Sequence, residues 1–164
     1  MEGNDLAVAP EHCVGCGTCA TVCPTAALES KKPDDKELLR AAVAAMQAND
    51  GAAGIMDAAM QAVAEGKYDP AKVVVVKSLG RVDESLIAVL AAGGATSIVL
   101  VAGPVEDASA ASDRTAQLVC DTAALLLETW GSDVSVKLTS KLPRSVRRTE
   151  PAEFDTGRRV QCPC

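Results

Sequence analysis

The clearest strand signal in the sequence is Lys72-Val73-Val74-Val75-Val76-Lys77, in which four consecutive β-branched residues stand between two lysines. A second continuous apolar run is Ser97-Ile98-Val99-Leu100-Val101-Ala102. Runs of this kind are typical of strands buried on both faces, as in a parallel sheet. The two runs therefore predict two strands of such a sheet.

Helix signals alternate with these strands. A predicted helix opens at Asp83-Glu84-Ser85 and ends at Gly93-Gly94, with acidic residues at its start and glycine at its end. A longer helix is predicted from Ala110 to Trp130, and the period of two over 133–138 predicts an outer strand. This order predicts a three-layer α/β domain with a mostly parallel sheet and right-handed crossovers.

Residues 35–66 admit two interpretations. Helix propensity predicts a helix over Asp35–Gln47, which is rich in Ala, Leu and Glu, and a second helix over Ile55–Glu65. Alternatively, Ala41–Met46 is a short buried strand that begins the sheet, followed by a helix at about 51–65. The residues alone leave both open.

Composition excludes several classes of protein. The chain has 164 residues, 48% of them hydrophobic but only 2% aromatic, and a net charge of −6. Too few aromatic side chains are present for a base-stacking nucleic-acid module, and the negative charge disfavours binding to a phosphate backbone. No apolar run approaches the ~20 residues of a membrane span, and the N-terminus lacks a secretory signal. These features predict a cytoplasmic protein with no nucleic-acid partner and no membrane span.

Four of the seven cysteines stand close together in Cys13-Val14-Gly15-Cys16-Gly17-Thr18-Cys19-Ala20-Thr21-Val22-Cys23-Pro24, here called the cysteine run. Its spacing is that of the bacterial ferredoxin ligands of a [4Fe–4S] cluster, whose iron prefers soft thiolates. A disulfide framework is disfavoured by the odd total, and a zinc site by the absence of two separated cysteine pairs. We therefore predict that Cys13, Cys16, Cys19 and Cys23 bind the iron of one [4Fe–4S] cluster.

The fourth ligand is open, because in two-cluster ferredoxins the last cysteine of the run serves the other cluster. Either Cys23 closes the same cluster, or a remote cysteine does so, for which Cys162 of Cys162-Pro163-Cys164 is the candidate. A third option is that the sequence is a fragment, which its abrupt end at Cys162-Pro163-Cys164 indicates. The ligand would then come from the missing segment or from a partner. Cys120 is expected to be a small core residue, and His12 a loop residue and not a ligand.

The chain divides into three predicted segments. Residues 1–32 form the small ferredoxin-like cluster-binding segment, 36–142 the α/β domain and 143–164 a basic, extended tail. The tail contains Pro143 and Pro151 and has no apolar periodicity. It is either a solvated terminal segment or a segment that docks on an acidic partner surface.

Two families resemble parts of the chain. Residues 1–30 resemble bacterial-type ferredoxin domains, with the match carried by Cys13 to Leu28. Residues of about 40–145 resemble the delta-subunit domain of F420-non-reducing (methyl-viologen-reducing) hydrogenases, a module that recurs with heterodisulfide reductase. That resemblance rests on residues 73–83, which end in Gly80-Arg81-Val82-Asp83, and on the pattern through Gly103.

The second resemblance implies a strand that ends near a cysteine, and it favours Ala41–Met46 as the first strand. The positions matching the family's [2Fe–2S] cysteines are Met46, Ser78 and Pro104, none of which is a good iron ligand. The resemblance therefore implies that a [2Fe–2S] cluster is absent.

Three functions follow from these features. The first is an iron–sulfur electron-transfer subunit that relays electrons between redox partners in a hydrogenase- or heterodisulfide-reductase-like assembly. It is non-catalytic by itself, because the only histidine adjoins a predicted ligand and no catalytic triad is available. The second is an adaptor whose cluster is mainly structural. The third, a nucleotide- or flavin-binding domain, is disfavoured because no Gly-x-Gly-x-x-Gly follows a strand.

Overall fold

A computed structural model of the protein describes residues 9–25, 27–104 and 110–148. The helices and strands follow one another as α1 (Thr18–Thr21), α2 (Asp35–Gln47), β1 (Ala52–Asp57), α3 (Ala58–Val63), β2 (Val73–Val76), α4 (Glu84–Ala92), β3 (Ser97–Val101), α5 (Ala110–Thr129) and β4 (Ser135–Thr139). Short 3-10 turns occur at Pro10–His12, Leu79–Arg81 and Arg144–Val146.

The four strands form one parallel sheet in the order β2-β1-β3-β4. Ile55 of β1 lies between Val74 of β2 and Leu100 of β3, so β1 is a central strand. The chain therefore steps from β1 to one side, and then back across β1 to β3 and β4. The predicted α/β class with a parallel sheet is confirmed.

Each face of the sheet has its own core. Helices α2, α4 and α5 cover one face, where Ile55, Leu90 and Leu100 are fully buried. The opposite face is smaller and is covered by α3 and by the turn at Arg144–Val146. Its buried side chains are Met56, Met60, Val73, Val101 and Val146. The result is three layers, with strand residues alternating between the two cores.

The predicted strand over Ala41–Met46 is wrong, because these residues lie inside helix α2. The helix begins with a reciprocal capping box in which the Glu37 amide donates to Asp34 Oδ1 at 2.7 Å and the Asp34 amide donates to Glu37 Oε2 at 3.1 Å. Ala42 and Met46 belong to the buried face of the helix. The resemblance-based choice of first strand therefore fails, and the propensity-based prediction of a helix over Asp35–Gln47 is confirmed.

The predicted helix over Ile55–Glu65 is wrong in its first turn, because Ala52–Asp57 is strand β1 and helix α3 begins at Ala58. Asp57 ends the strand and caps the helix, accepting a hydrogen bond from the Ala59 amide at 2.7 Å. Within β1, a Cβ atom on Gly54 would lie 3.0 Å from both Val73 Cγ2 and Val146 Cγ1. A glycine in this strand therefore lets neighbouring side chains approach the backbone closely.

The remaining elements follow the predictions. Strands β2 and β3 lie at the two continuous apolar runs, and α5 spans nearly the predicted range. Helix α4 is capped by Asp83, whose Oδ1 accepts from the Leu86 amide at 2.7 Å. Strand β4 covers Ser135–Thr139, slightly later than the predicted 133–138.

The chain after β4 returns to the domain. Val146 is 1% exposed in the smaller core, and its carbonyl accepts from the Asp69 amide at 2.9 Å. Arg147 forms an isolated antiparallel bridge with Tyr68. Residues 143–148, the start of the segment predicted to be extended, are therefore packed, while 149–164 lie outside the described residues. Among the described helices, none is both long enough and apolar enough to cross a membrane.

Candidate iron–sulfur site

Two glycines shape the backbone of the cysteine run. Gly15 has φ of 67° and Gly17 has φ of 81°, both in the left-handed region where residues with a Cβ atom are strained. Gly17 is also the N-cap of the single-turn helix α1, which carries Cys19. The sequence thus supplies glycine at the two positions of this loop that require it.

The four cysteines of the run are free thiols: Cys13 and Cys19 are exposed, whereas Cys16 and Cys23 are half-buried. Across residues 9–25, 27–104 and 110–148, no group of three or more His, Cys, Asp or Glu side chains is arranged to hold a metal ion. The four thiols are the kind of ligand that an iron–sulfur cluster requires. The structure does not, however, place their sulfur atoms around a common metal position. Binding of metal by a cysteine loop is commonly coupled to local folding.

The thiol of Cys16 is poised toward ionisation. Partial burial opposes this, but hydrogen bonding with the Thr18 side chain and with backbone groups of Thr18 and Cys16, together with the charge of Lys77, lowers the pKa of the thiol below its usual value. The sulfur lies 3.4 Å from Thr18 Oγ1. Because the thiolate is the form that binds metal, this environment favours ligation.

The thiol of Cys23 is perturbed further. Hydrogen bonding with the Thr25 side chain, whose Oγ1 lies 3.6 Å from the sulfur, and with the backbone of Thr25 and Leu28 lowers the pKa of Cys23 to about 7. About half of such thiols are ionised near neutral pH. Cys23 therefore has the character of a ligand, which suits the option that it closes the cluster itself.

The cysteine run packs against the loop that joins β2 to α4, residues 77–83, here called the β2–α4 loop. A Cβ atom on Gly15 would lie 2.6 Å from Lys77 Nζ, and one on Gly17 would lie 2.9 Å from Arg81 Cδ. The hydroxyl of Thr18 lies directly against Gly80. The run therefore lies at the carboxyl edge of the parallel sheet, the edge at which α/β folds bind their ligands.

The β2–α4 loop is itself held by several hydrogen bonds. The Leu79 amide donates to Asp57 Oδ2 at 3.3 Å, and the Gly80 amide donates to Ser112 Oγ at 2.9 Å. Ser78 and Ser112 are joined by a hydroxyl–hydroxyl hydrogen bond. These hydrogen bonds connect the β2–α4 loop to β1 and α5. The surface beneath the cysteine run is therefore a fixed part of the domain.

Arg81 connects this surface to α2. It is 8% exposed, and its guanidinium forms an ion pair with Asp35, the first residue of α2. Its Nε atom is buried and has no hydrogen-bond partner among the described residues. Within the described part of the chain, the guanidinium beneath the cysteine run is therefore paired at its terminal NH2 group and unpartnered at Nε.

The other residues singled out by the sequence are dispersed. Cys120 is 3% exposed in the larger core, as expected, and His12 is exposed at the end of the first 3-10 turn. Met46 is buried in α2, so it does not occupy a strand-end loop. Ser78 follows β2 and Pro104 follows β3. Cys162 lies outside the described residues.

Comparison with known proteins supports the first part of the chain. Residues 6–29 match the family model of the 4Fe-4S binding domain. No curated protein and no solved structure matches the chain. The match indicates binding of a 4Fe-4S cluster and supports an iron–sulfur electron-transfer role in general terms. The resemblance to the hydrogenase delta subunit gains no support and stays a prediction.

Sequence reasoning missed the residues beneath the run. The sequence patterns predict no role for Lys77, Thr18 or Thr25, and Arg81 is singled out only by the Gly80-Arg81-Val82-Asp83 resemblance. The contacts of Lys77 with Gly15 and of Arg81 with Gly17 join positions some sixty residues apart, which no local pattern reports. The one available signal is the pair of glycines at 15 and 17, whose missing side chains make room for Lys77 and Arg81.

Proposed function

We propose that this protein is an iron–sulfur electron-transfer protein in which Cys13, Cys16, Cys19 and Cys23 hold one [4Fe–4S] cluster. The observation that carries the proposal is the cysteine run, whose spacing and family match indicate such a cluster. Its place on the carboxyl edge of the sheet, against a loop with two cations, adds support. Ser78 and Pro104, which follow β2 and β3, are poor iron ligands, and we propose that no [2Fe–2S] cluster is bound.

When bound, a [4Fe–4S] cluster supplies reversible one-electron chemistry. The residues of this chain hold and tune it. The thiolates of the run ligate iron, and Thr18 and Thr25 favour the thiolate forms of Cys16 and Cys23. The exposure of Cys13 and Cys19 leaves the outer side of the run accessible to a redox partner.

The finer proposal is that the protein relays electrons between subunits of a hydrogenase- or heterodisulfide-reductase-like assembly in the cytoplasm. It is a non-catalytic component, and the basic tail over residues 143–164 docks on an acidic surface of a partner. Support comes from the Gly80-Arg81-Val82-Asp83 motif, which in this fold forms the loop beneath the cysteine run.

A second candidate is an adaptor whose cluster is mainly structural. The observation that favours it is the exposed apolar surface of α5 and the turn that follows it. Leu118 and Leu125, two turns apart on the helix, are 65% and 64% exposed, and Trp130 is 63% exposed. Exposed apolar residues grouped on one element mark protein contact surfaces.

The ligand assignment is tested by cysteine substitution. We expect anaerobically reconstituted wild type to hold about four irons per chain, and Cys16→Ser to lose most of them, because a hydroxyl is a poor iron ligand. Cys120→Ser is the matched control and should keep its iron. Cys23→Ser and Cys162→Ser distinguish the two candidates for the fourth ligand, because only the substitution of the true ligand should lower the iron content. Equal loss in Cys16→Ser and Cys120→Ser would contradict the assignment.

A further inference from the structure

The β2–α4 loop brings two cationic side chains to the backbone of the cysteine run. Lys77 directly follows β2, and its Nζ lies where a side chain on Gly15 would stand. Arg81 ends the 3-10 turn of the loop, and its aliphatic chain runs beside Gly17. Because Gly15 and Gly17 flank Cys16, both cations lie beside the same ligand position.

Arg81 has an N–H donor at this contact that no described residue accepts. The residue is more than nine-tenths buried, and its terminal NH2 group is occupied by Asp35, whose own side chain is 83% exposed. Nε, next to the Cδ atom that lies against Gly17, has no partner in the part of the chain that the structure describes. Buried donors in folded proteins are nearly always hydrogen-bonded, so we expect this N–H to have an acceptor.

The described residues provide no acceptor for that N–H, but a bound cluster would. Its sulfides and the thiolate sulfurs of its ligands accept hydrogen bonds, and such bonds are a main determinant of reduction potential. Thr21 of α1, the helix that packs on the 79–81 turn, also has a buried hydroxyl without a partner among the described residues. Both sides of this contact thus carry unsatisfied polar atoms.

We propose that Lys77 and Arg81 are positioning residues that raise the reduction potential of the cluster. The Arg81 Nε–H donates to a cluster or thiolate sulfur, and the Lys77 ammonium lies beside the Cys13–Cys16 loop. This inference rests on the proposed function. Reduction transfers one electron from an external low-potential reductant to the cluster and changes no covalent bond. Because the reduced cluster carries one more negative charge, nearby positive charges stabilise it.

The test is the midpoint potential of reconstituted protein, measured by a redox titration that is followed by EPR. We expect Lys77→Gln to lower the ratio of reduced to oxidised protein at a fixed potential by between about three- and tenfold, the larger figure being 59 mV for one electron. Arg81→Lys keeps the charge but removes the Nε–H, and it should shift the potential in the same direction.

Lys72→Gln is the matched control, because it makes the same charge change at the other end of β2, roughly 16 Å away along the strand. It should leave the potential unchanged. Iron content and far-UV circular dichroism establish that each variant is loaded and folded. If Arg81→Lys fails to load, Lys77→Gln still decides, because Lys77 is exposed and its replacement should not affect folding.

Three outcomes overturn the inference. If the wild type binds iron and is reduced reversibly, but Lys77→Gln and Arg81→Lys titrate like Lys72→Gln, the inference fails and the proposed function stands. If Lys72→Gln lowers the potential as much as Lys77→Gln does, the effect of the lysines is one of net charge and not of position. If the wild type holds no iron after reconstitution, the proposed function fails and the inference falls with it.

Discussion

The hydroxyl of Thr18, in the cysteine run, occupies the space that a Cβ atom on Gly80, in the β2–α4 loop, would need. Ser112 Oγ closes the same space from α5, 2.5 Å from where a Cβ atom on Gly80 would stand. Gly80 is itself buried, so a side chain there would be enclosed by these two hydroxyls. The cysteine run and the α/β domain are therefore joined at a position where only glycine fits.

Gly80→Ala tests this contact between the cysteine run and the α/β domain. The added methyl group must displace Thr18 or Ser112, and overpacking of a well-packed site destabilises by about 1–3 kcal/mol. We expect a lower free energy of unfolding in urea and faster loss of iron from the reconstituted protein to a chelator. Adding Thr18→Ala removes one of the two clashes and should recover part of the lost stability.

Gly103→Ala is the matched control for that prediction. Its Cβ atom would lie 2.7 Å from Ala59 Cβ and 2.9 Å from the Met60 amide nitrogen, so it crowds α3 at the same edge of the sheet without touching the run. It should destabilise the fold but leave the rate of iron loss unchanged. Equal rates of iron loss in the two variants would show that Gly80 has no specific link to the run.

The pKa of Cys23 predicts a pH profile for the cluster-free protein. Because hydrogen bonding with Thr25 lowers the pKa of this thiol to about 7, its alkylation by iodoacetamide should rise to half its maximal rate near pH 7. Thr25→Val removes the hydroxyl and should move the profile to higher pH. Thr96→Val, an exposed threonine at the opposite edge of the sheet, is the control. Peptide mass spectrometry measures the rate, and an identical profile in Thr25→Val would contradict the assigned cause.

Cys120 should behave in the opposite way. Burial, with a smaller effect of the Asp121 charge, raises the pKa of this thiol from 9.0 to about 11. The native protein should therefore resist alkylation at Cys120 at pH 8 and become reactive only in denaturant. Since the unfolded thiol ionises first, stability should fall as the pH rises from 9 toward 11, and Cys120→Ala should lack this part of the decline. Rapid native alkylation would refute its burial.

Val146 tests whether the chain after β4 contributes to the core. Its side chain is buried with Met56, Val73 and Val101, and its truncation removes apolar burial and leaves a cavity. We expect Val146→Ala to cost about 2 kcal/mol of unfolding free energy. Val63→Ala, at a 55% exposed position of α3, should change stability by less than about 0.5 kcal/mol. Similar small effects in both would mean that residues 143–148 are loosely attached.

The sequence predicts the fold well where local signals and tertiary environment agree. β2 and β3 are rich in β-branched residues and lie inside a parallel sheet, so period and propensity indicate the same structure. α4 has its cap residue Asp83 and its terminal glycines in the expected places. In each case the local preference and the buried position favour one conformation, which is why the prediction succeeds.

The errors occur where tertiary position overrides propensity. Ala52–Asp57 has few β-branched residues and contains Gly54, yet it is a central strand because β2 and β3 hydrogen-bond to its two edges. Over Asp35–Gln47 the resemblance favours a strand against helix propensity, whereas the structure has a helix that begins with the Asp34–Glu37 capping box. Contacts such as Lys77 with Gly15 are long-range and cannot be read from spacing.

The central claim is that the cysteine run holds a redox-active cluster, and EPR of the reconstituted protein before and after anaerobic dithionite tests it most directly. Iron and acid-labile sulfide are assayed on the same sample. We predict about four irons per chain and an S = 1/2 signal that appears on reduction and disappears on reoxidation. A cluster that binds but cannot be reduced reversibly would contradict electron transfer and favour the adaptor, and a protein without iron would contradict the cluster itself.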